Sequence, residues 1–441
     1  MQTDTAPRYT SYPTAPHFHA GVDADEVKGW IAALPSGEML SLYVHIPFCD
    51  RLCWFCACHT KQTRRYEPVA AFLEALQKEI ETVGALAGND TQVAALHFGG
   101  GSPTLLTPTD IVALMATLRK SFAFAADASI SVEIDPNDMD EPRLDALAAI
   151  GLTRASLGIQ DFDERVQKAI NREQSFEATR AVVDGLRDRG VGSVNLDMLY
   201  GLPHQTRESL AATVDKVLSL HPDRIALFGY AHVPWFKKHQ TMIDEAALPD
   251  AEERLAQYEL AARLIKRAGY VTIGLDHFAL PEDSLAVAAK AGSLRRNFQG
   301  YTDDDCETLI GLGPSSVSRF REGYAQNLPA TAEYERRVRA GSLATARGIA
   351  LSDDDRLRAW TIERLMCDFG FSVPEATTRF GAAARTILAE AAAMAQEPEP
   401  LLLRDGERFV IPSARRPLVR LAAARFDRYF ASGTARHSAA V

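Results

Sequence analysis

The most informative stretch of the chain is LSLYVHIPFCDRLCWFCAC, residues 40–58, in which a short apolar run leads directly into four cysteines. The run is rich in β-branched and aromatic residues, which predicts a buried strand. The loop that follows holds Cys49, Cys53, Cys56 and Cys58, four of the six cysteines in the 441-residue chain. A strand that ends in several thiols predicts a metal or ligand site at that edge of a sheet.

Three kinds of site compete for this loop: a disulfide knot, a zinc site and an iron–sulfur cluster. The beginning of the chain lacks the order of a signal peptide, and no apolar run approaches the roughly 18 residues of a membrane span. We therefore expect a cytoplasmic protein, in which thiols stay reduced and a metal site is favoured over disulfides. Structural zinc usually takes two separated cysteine pairs, whereas these cysteines share one loop, which favours an iron–sulfur cluster and leaves zinc as the alternative.

Further strand-like runs alternate with amphipathic segments along the chain. The runs are LSLYVHIPF, VAALHFGGG (93–101), ISVEIDP (130–136), RASLGIQ (154–160), SVNLDMLYG (193–201) and RIALFGYA (224–231). One segment between them carries a stripe of apolar residues at helical spacing, formed by Val69, Phe72, Leu73, Leu76, Ile80 and Val83. This alternation predicts an α/β fold with a parallel sheet, namely a partial (β/α)6 TIM-like barrel whose chemistry gathers at the C-terminal ends of the strands.

Composition changes along the chain predict three domains. Pro7, Pro13 and Pro16 interrupt regular structure in an irregular N-terminal arm, residues 1–35. Residues 36–335 are expected to form the catalytic barrel, and residues 336–441 a mainly α-helical domain with a small hairpin. In the last domain Ser352 is a predicted helix N-cap, and Asp405-Gly406 between two apolar runs predicts the hairpin.

The charge of the chain bears on its partners. A net charge of −10 argues against a general nucleic-acid-binding protein, which usually shows a basic excess. An arginine-rich C-terminal region, residues 401–441, with a winged-helix-like order of elements leaves a zinc-stabilised DNA-binding regulator as a remote alternative. We expect no nucleic acid and no membrane among the partners.

An ordered series of motifs resembles one known family. The series is RYTSYPTA, YVHIPFC, the C-x3-C-x2-C loop, HFGGGSPT, EIDP, GIQDF, NREQ, NLDMLYGLP, GYAHVP, GLDHFA and RRNFQGY. It resembles the oxygen-independent coproporphyrinogen III oxidases, which are radical S-adenosylmethionine (SAM) enzymes of heme biosynthesis. The resemblance runs from about residue 8 to the C-terminus and is weaker after residue 370.

The resemblance implies a [4Fe-4S] cluster bound by Cys49, Cys53 and Cys56, together with two SAM molecules. Cys58 matches a cysteine that the family requires but that does not bind the cluster, and His45 is a further catalytic candidate in an apolar strand. The residues implied for the first SAM are Tyr43, Gly100, Glu133 and Val317. Those implied for the second SAM are Phe55, Gly101, Ser102, Gln160, Arg172, Asp197 and Ala231. Val317 and Ser102 stand where the family commonly has isoleucine and threonine.

The implied reaction is the oxidative decarboxylation of two propionates of coproporphyrinogen III to vinyl groups, which gives protoporphyrinogen IX, through 5′-deoxyadenosyl radicals derived from SAM. Arg8, Arg295 and Arg296 are candidates to bind the substrate carboxylates, with the N-terminal arm closing over the substrate. An electron donor such as flavodoxin or ferredoxin is implied, and a monomer is expected. The alternative within the superfamily is a heme chaperone, whose usual features differ from the Cys58, RYTSYPTA and RRNFQGY positions of this chain.

Overall fold

The computed structural model describes residues 6–430. Its strands are β1 Met39–Ile46, β2 Phe48–Cys49, β3 Lys61–Gln62, β4 Gln92–Gly100, β5 Ala123–Ile134, β6 Arg154–Gln160, β7 Ser193–Tyr200, β8 Arg224–Gly229, β9 Val271–Ile273, β10 His277–Ala279, β11 Arg295–Asn297, β12 Gly300–Thr302, β13 Thr308–Leu312, β14 Val317–Arg319, β15 Gly323–Asn327, β16 Thr345–Ala350, β17 Gly370–Ser372, β18 Leu403–Asp405 and β19 Arg408–Val410. Its α-helices are α1 Ala24–Ala32, α2 Glu67–Ala87, α3 Pro108–Ser121, α4 Glu141–Ala149, α5 Glu164–Ala169, α6 Phe176–Asp188, α7 Arg207–Leu218, α8 Ala251–Arg267, α9 Ser284–Ala291, α10 Thr331–Arg339, α11 Asp353–Asp368, α12 Val373–Phe380, α13 Ala384–Met394 and α14 Val419–Ala424.

The larger of two compact units comprises His19–Ala268 and Cys306–Ala350 and is built on one mixed sheet. Strands β13, β1, β4, β5, β6, β7 and β8 pair in parallel in that order. Strands β14, β15 and β16 continue the sheet beyond β13 in antiparallel pairing. The six predicted strands are β1 and β4 to β8, with helices between them, which confirms the predicted α/β class. The parallel partner β13 on the other side of β1 was not predicted.

The helices of the larger unit form where apolar residues recur at helical spacing. In α2 the predicted stripe is buried, and its members Val69, Phe72, Leu76 and Ile80 have no accessible surface. Thr107 caps α3 by accepting a hydrogen bond from the N–H of Asp110, so the turn after the glycine run ends in a defined helix start. Because these strands run parallel, their C-terminal ends lie along one edge of the sheet.

The smaller unit gathers three separate segments, whose described parts are residues 6–18, 269–305 and 351–430. Ser352 caps α11 in a capping box, as predicted. Strands β18 and β19 pair in antiparallel across Asp405-Gly406, which confirms the predicted hairpin. Tyr9 and Tyr12 are buried in the same core as the C-terminal helices, and the Tyr9 hydroxyl donates to Asp427 Oδ2 at 3.0 Å. The described part of the N-terminal arm is therefore packed into the smaller unit.

These units differ from three consecutive domains. Residues 19–35 contain α1 and belong to the larger unit, whereas residues 6–18 and 269–305 belong to the smaller one. The predicted boundaries follow changes in local pattern, but a compact unit is defined by contacts between distant segments. Residues 1–5 of the predicted arm and 431–441 of the predicted C-terminal domain lie outside the described residues. Within residues 6–430, no helix has the length and apolarity that crossing a bilayer requires.

Candidate functional site

Tyr43 and His45 lie on the same face of β1, two residues apart. The Tyr43 hydroxyl and His45 Nδ1 are 3.0 Å apart, and His45 Nε2 lies 2.8 Å from the carbonyl oxygen of His59. Because a carbonyl can only accept, Nε2 carries the proton and Nδ1 accepts from the tyrosine. Burial lowers the pKa of His45 to about 4. His45 is therefore a neutral imidazole with both nitrogens engaged.

Glu133, at the end of β5, is held on two sides. Its Oε2 accepts from the backbone N–H of Gly100 at 3.0 Å, and its Oε1 lies 3.3 Å from His97 Nε2. Burial raises the pKa of Glu133, but the hydrogen bonds from His97 and Gly100 outweigh it and lower the pKa overall. The side chain keeps 41% of its surface accessible. A carboxylate so anchored and yet partly open to solvent can accept further hydrogen bonds.

The glycine run at the end of β4 is required by close packing. Gly100 has φ +119°, and a Cβ there would lie 2.8 Å from the His45 ring and from the carbonyl oxygen of Ile46. A Cβ on Gly101 would lie 2.4 Å from the carbonyl oxygen of Phe48. A side chain at Gly100 would therefore collide with the end of β1, and one at Gly101 with the start of β2. The run brings bare backbone against the first residues of the cysteine loop.

The cysteine loop is closed at its base. Strand β2 pairs with β3, and the Thr63 N–H donates to the carbonyl oxygen of Cys49 at 2.9 Å. Cys49 Sγ lies 3.1 Å from Thr60 Oγ1. On its other side, the Trp54 N–H donates to the carbonyl oxygen of Ile170 at 2.9 Å, while Trp54 and Phe55 pack on an apolar cluster around Tyr230. The loop is thus attached at both ends and in the middle.

A segment after β8 also binds the cysteine loop. The Lys237 ammonium donates to the carbonyl oxygen of Cys58 at 2.8 Å, and His239 Nε2 lies 2.7 Å from that of Cys56. Gln240 Nε2 donates to the carbonyl oxygens of Phe55 at 3.0 Å and of Ala231 at 3.2 Å. Backbone carbonyls of the loop that would otherwise lack partners are thereby satisfied.

The spacing of the thiols tests which metal the loop suits. Thiolates around one zinc ion lie about 3.8 Å apart, since each Zn–S bond is about 2.3 Å in a tetrahedron. Among the described residues, no three of these cysteines bring their sulfurs within 4.8 Å of one another. Burial raises the pKa of Cys49 to about 12 and that of Cys53 to about 11, so these thiols need a bound cation to ionise. The donor set fits a cluster wider than one ion.

Arg172 connects the loop to the next strands. Its guanidinium pairs with Asp135 after β5, lies 3.9 Å from Cys53 Sγ and donates to the carbonyl oxygen of Gly158 at 3.1 Å. Its Nε is buried and has no partner. A buried guanidinium N–H without an acceptor is suited to an anionic ligand.

The remaining predicted residues lie around the same strand ends. Gly158 pairs in register with Asp197 on β7, and Gln160 follows at a bulge with φ +65°. The Asp197 carboxylate accepts a hydrogen bond from the Ser156 hydroxyl. Ser156 on β6 is the register partner of Glu133 on β5. Ser102 Oγ donates to Asp138 Oδ2 at 2.5 Å. The backbone of Val317 packs against Gly311, which pairs with Tyr43 in the sheet. Burial raises the pKa of Tyr43, and the nearby Glu133 and Cys58 raise it further.

Several residues of the site were not predicted. His97 pairs in register with Tyr43, and their rings stack with centroids 5.8 Å apart. His97 stands two residues before the glycine run on the same strand, which could have indicated it. Asp135 is the third residue of the EIDP motif and is expected from the sequence at this strand end, but its pairing with Arg172 is not. Lys237, His239 and Gln240 carry no local signal, because only the fold brings them to the cysteine loop.

The site and the fold define a class of protein. The sequence model of the radical SAM superfamily matches residues 43–217, which include the cysteine loop, the glycine run and Glu133. The chain is 50% identical to an oxygen-independent coproporphyrinogen III oxidase of Paracoccus denitrificans over 99% of its own length and 96% of the relative's. It is 41% identical to one of Pseudomonas aeruginosa over 97% and 94%.

The solved structure of coproporphyrinogen III oxidase (HemN) from Escherichia coli, described as a radical SAM enzyme, superposes with a TM-score of 0.92. That protein is 38% identical, with 96% of this chain and 97% of that chain covered. The chain is a radical SAM protein. Within that class it belongs to the family of oxygen-independent coproporphyrinogen III oxidases.

Proposed function

We propose that the protein converts coproporphyrinogen III to protoporphyrinogen IX without oxygen, by oxidative decarboxylation of two propionates to vinyl groups in heme biosynthesis. The observation that carries this proposal is near-full-length similarity to curated oxidases, which spans the cysteine loop and every motif around it. The extent matters, because the cysteine motif alone would indicate only the superfamily.

The cofactors are a [4Fe-4S] cluster and SAM. When bound, they supply the radical that removes a hydrogen atom from the substrate. We propose that Cys49, Cys53 and Cys56 hold the cluster and that the site takes two SAM molecules. The proposed contacts of the first are Tyr43, Gly100, Glu133 and Val317; those of the second are Phe55, Gly101, Ser102, Gln160, Arg172, Asp197 and Ala231.

The residues around Glu133 suit recognition of a nucleoside. Its carboxylate stays ionised because His97 and Gly100 stabilise the charge. The accessible part of the side chain can accept hydrogen bonds from two neighbouring ribose hydroxyls, as acidic residues do in other α/β folds. Gly100 and Gly101 let the end of β4 pack directly against His45 and Phe48 beside this carboxylate, and Arg172 Nε offers an N–H to an amino-acid carboxylate.

His45 acts in this proposal as a positioning residue. Its ring is neutral, and its two nitrogens are used by the Tyr43 hydroxyl and the His59 carbonyl, so it links β1 to the end of the cysteine loop. Cys58 lies in that segment, where its N–H donates to Cys56 Sγ at 3.3 Å. We propose that Cys58 serves catalysis without binding the cluster.

Arg296, in the smaller unit, is the candidate for a substrate carboxylate whose guanidinium has unpartnered donors. Its Nε and Nη1 are buried without partners. Its guanidinium carbon Cζ lies over the Tyr301 ring, 4.4 Å from the ring centre. Arg295, by contrast, is engaged by Glu363 at 3.1 Å. A guanidinium with two unused N–H groups presents a fork that matches a carboxylate. We therefore assign Arg296, assisted by the exposed Arg8, to propionate binding.

Three further expectations complete the proposal. A one-electron donor such as flavodoxin or ferredoxin reduces the enzyme, the chain acts as a monomer, and it works in the cytoplasm. The acidic composition supports the absence of nucleic acid among its partners. Light scattering of the purified protein at several concentrations tests the monomer, since a dimer would raise the mass twofold.

The function is tested by an anaerobic assay on reconstituted protein with coproporphyrinogen III, SAM and dithionite. We expect a brown protein, SAM-dependent change of its absorption spectrum, and products that carry vinyl groups. A heme titration run in parallel separates the alternative, because a heme chaperone would bind heme tightly and form no vinyl product. Colourless, iron-free protein after reconstitution would contradict the whole assignment.

A further inference from the structure

The segment that binds the cysteine loop carries an unusual surface. Between residues 232 and 243, Trp235 is 55% exposed, Phe236 72% and Met242 58%. The same segment holds the carbonyls of Cys56 and Cys58 through His239 and Lys237. Large apolar side chains are therefore presented to solvent directly beside the proposed cluster ligands. Clustered exposure of this kind marks an interaction site, whereas single exposed residues are ordinary.

The charged residues within this segment are basic, and the first acidic residues after it are Asp244 and Glu245, where Glu245 Oε1 lies 2.9 Å from His232 Nε2. Neither residues 51–66 nor residues 230–243 contain an acidic residue, although the chain as a whole carries a net charge of −10. Lys237 and Lys238 follow Phe236 directly, and Lys61 lies three residues after Cys58, whose carbonyl Lys237 binds. We call the combined surface the basic-aromatic patch; its members are Lys61, Trp235, Phe236, Lys237, Lys238 and Met242.

We propose that the basic-aromatic patch docks an acidic one-electron carrier protein, which delivers the reducing electron to the cluster. The proposal deepens the proposed function, on which it rests, by naming where the donor binds. In each encounter the carrier is oxidised by one electron and the bound cluster is reduced by one, and no bond forms or breaks. The opposite charge of the partner follows from the cationic patch on an acidic chain.

The composition of the patch fits such an encounter. Aromatic side chains and methionine are enriched at the cores of protein interfaces. Electron-transfer complexes bury little surface and depend on charge complementarity for fast association. Phe236 and Trp235 protrude, whereas small-molecule sites are concave and enclose their ligands. The patch therefore suits a protein partner better than a porphyrin.

The test uses the full-length reconstituted protein with flavodoxin as the probe. The variants are Phe236→Ser and Lys238→Glu, whose side chains do not hydrogen-bond to the cysteine loop, unlike those of Lys237 and His239. Matched controls are Val112→Ser and Lys120→Glu, exposed on α3 of the same unit. The readouts are the Kd for flavodoxin by calorimetry at low and high salt, the rate of cluster reduction by reduced flavodoxin, and turnover with dithionite.

We expect the patch variants to raise the Kd and slow flavodoxin-dependent reduction about tenfold or more at low salt. High salt should weaken wild-type binding and narrow the difference between wild type and Lys238→Glu, because salt screens the charge of the lysines. The difference between wild type and Phe236→Ser should persist, because the phenylalanine carries no charge. Iron content and dithionite-dependent turnover should match wild type. Unchanged binding in both variants overturns the proposal, as does an equal loss with dithionite, which would indicate a substrate or structural role. If wild type makes no vinyl product with dithionite, the proposed function fails, while the Kd still decides the docking surface.

Discussion

Glu133 Oε2 accepts a hydrogen bond from the backbone N–H of Gly100 at 3.0 Å, which ties the end of β5 to the glycine run of β4. The bond holds the carboxylate where it remains ionised and partly accessible. It also holds the backbone of Gly100, whose φ is +119° and where a Cβ would lie 2.8 Å from the His45 ring and the Ile46 carbonyl oxygen. Both residues thus depend on each other's position, and each can be tested separately.

Gly100→Ala should abolish SAM binding and lower the free energy of unfolding by more than about 3 kcal/mol, because strain at φ +119° adds to collisions with His45 and Ile46. Urea unfolding and calorimetry with SAM measure the two effects. Gly190→Ala is the matched control, since φ is also positive there but nothing lies within 4 Å. Equal effects of the two substitutions would show that crowding at Gly100 does not matter.

Glu133→Gln should weaken SAM binding at least tenfold while iron content stays unchanged. The substitution removes the charge from hydrogen bonds that are each worth about 1.5–3 kcal/mol when one partner is ionised. Since the pKa of Glu133 is lowered, the affinity of wild type should not change between pH 6 and pH 8 through this group. Glu177→Gln, exposed on α6, serves as the control, and a normal SAM affinity of Glu133→Gln would refute the assignment.

Cys49→Ser, Cys53→Ser and Cys56→Ser should each lose most of the iron and the brown colour, because each removes one thiolate from the proposed cluster. Cys58→Ser should keep wild-type iron and sulfide content but lose turnover. Iron and sulfide analysis after anaerobic reconstitution, together with the vinyl assay, distinguishes the two groups. Loss of iron in Cys58→Ser would make it a ligand, contrary to the proposal.

Glu79→Gln should change how stability depends on pH. Glu79 is buried, and its carboxylate accepts from Gly313 N–H, the Tyr334 hydroxyl and Asn327 Nδ2. Burial raises its pKa from 4.5 to about 7 although these bonds oppose the shift. The folded state therefore keeps a proton that the unfolded state releases, and stability from this group, complete below pH 4.5, is lost as pH rises through 7.

Relative to Glu79→Gln, wild type should thus lose about 3 kcal/mol of unfolding free energy between pH 4.5 and pH 8. Urea unfolding at several pH values measures the difference, in which other titrating groups cancel. Glu74→Gln, exposed on the same helix, should follow wild type at every pH. A parallel pH profile for Glu79→Gln would show that the carboxylate ionises normally in the folded protein.

Arg296→Lys should weaken binding of coproporphyrin III about tenfold, because an ammonium cannot replace the two unpartnered N–H groups of the guanidinium fork. Fluorescence titration of the porphyrin measures this without turnover. Arg267→Lys, exposed at the end of α8, is the control. Unchanged porphyrin affinity in Arg296→Lys would remove Arg296 from the substrate site.

Much of the fold could be predicted because its signals are local. The six strands, the buried stripe of α2, the Ser352 cap and the Asp405-Gly406 hairpin each follow from the order of neighbouring residues. The cysteine spacing and the glycine run likewise indicate chemistry at strand ends. Periodicity, caps and turns depend on a few adjacent residues, so the chain encodes them without reference to distant partners.

Only the tertiary structure decided which distant groups meet. The sheet register sets His97 beside Tyr43, and the crossovers bring Lys237 to Cys58 across 179 positions of the chain. Glu79 accepts a hydrogen bond from Tyr334, which is 255 positions away in the chain, and Tyr9 donates one to Asp427, which is 418 positions away. Such pairs form because polar groups that leave bulk water need hydrogen-bond partners, and which partners are within reach depends on packing of the whole unit rather than on any local pattern.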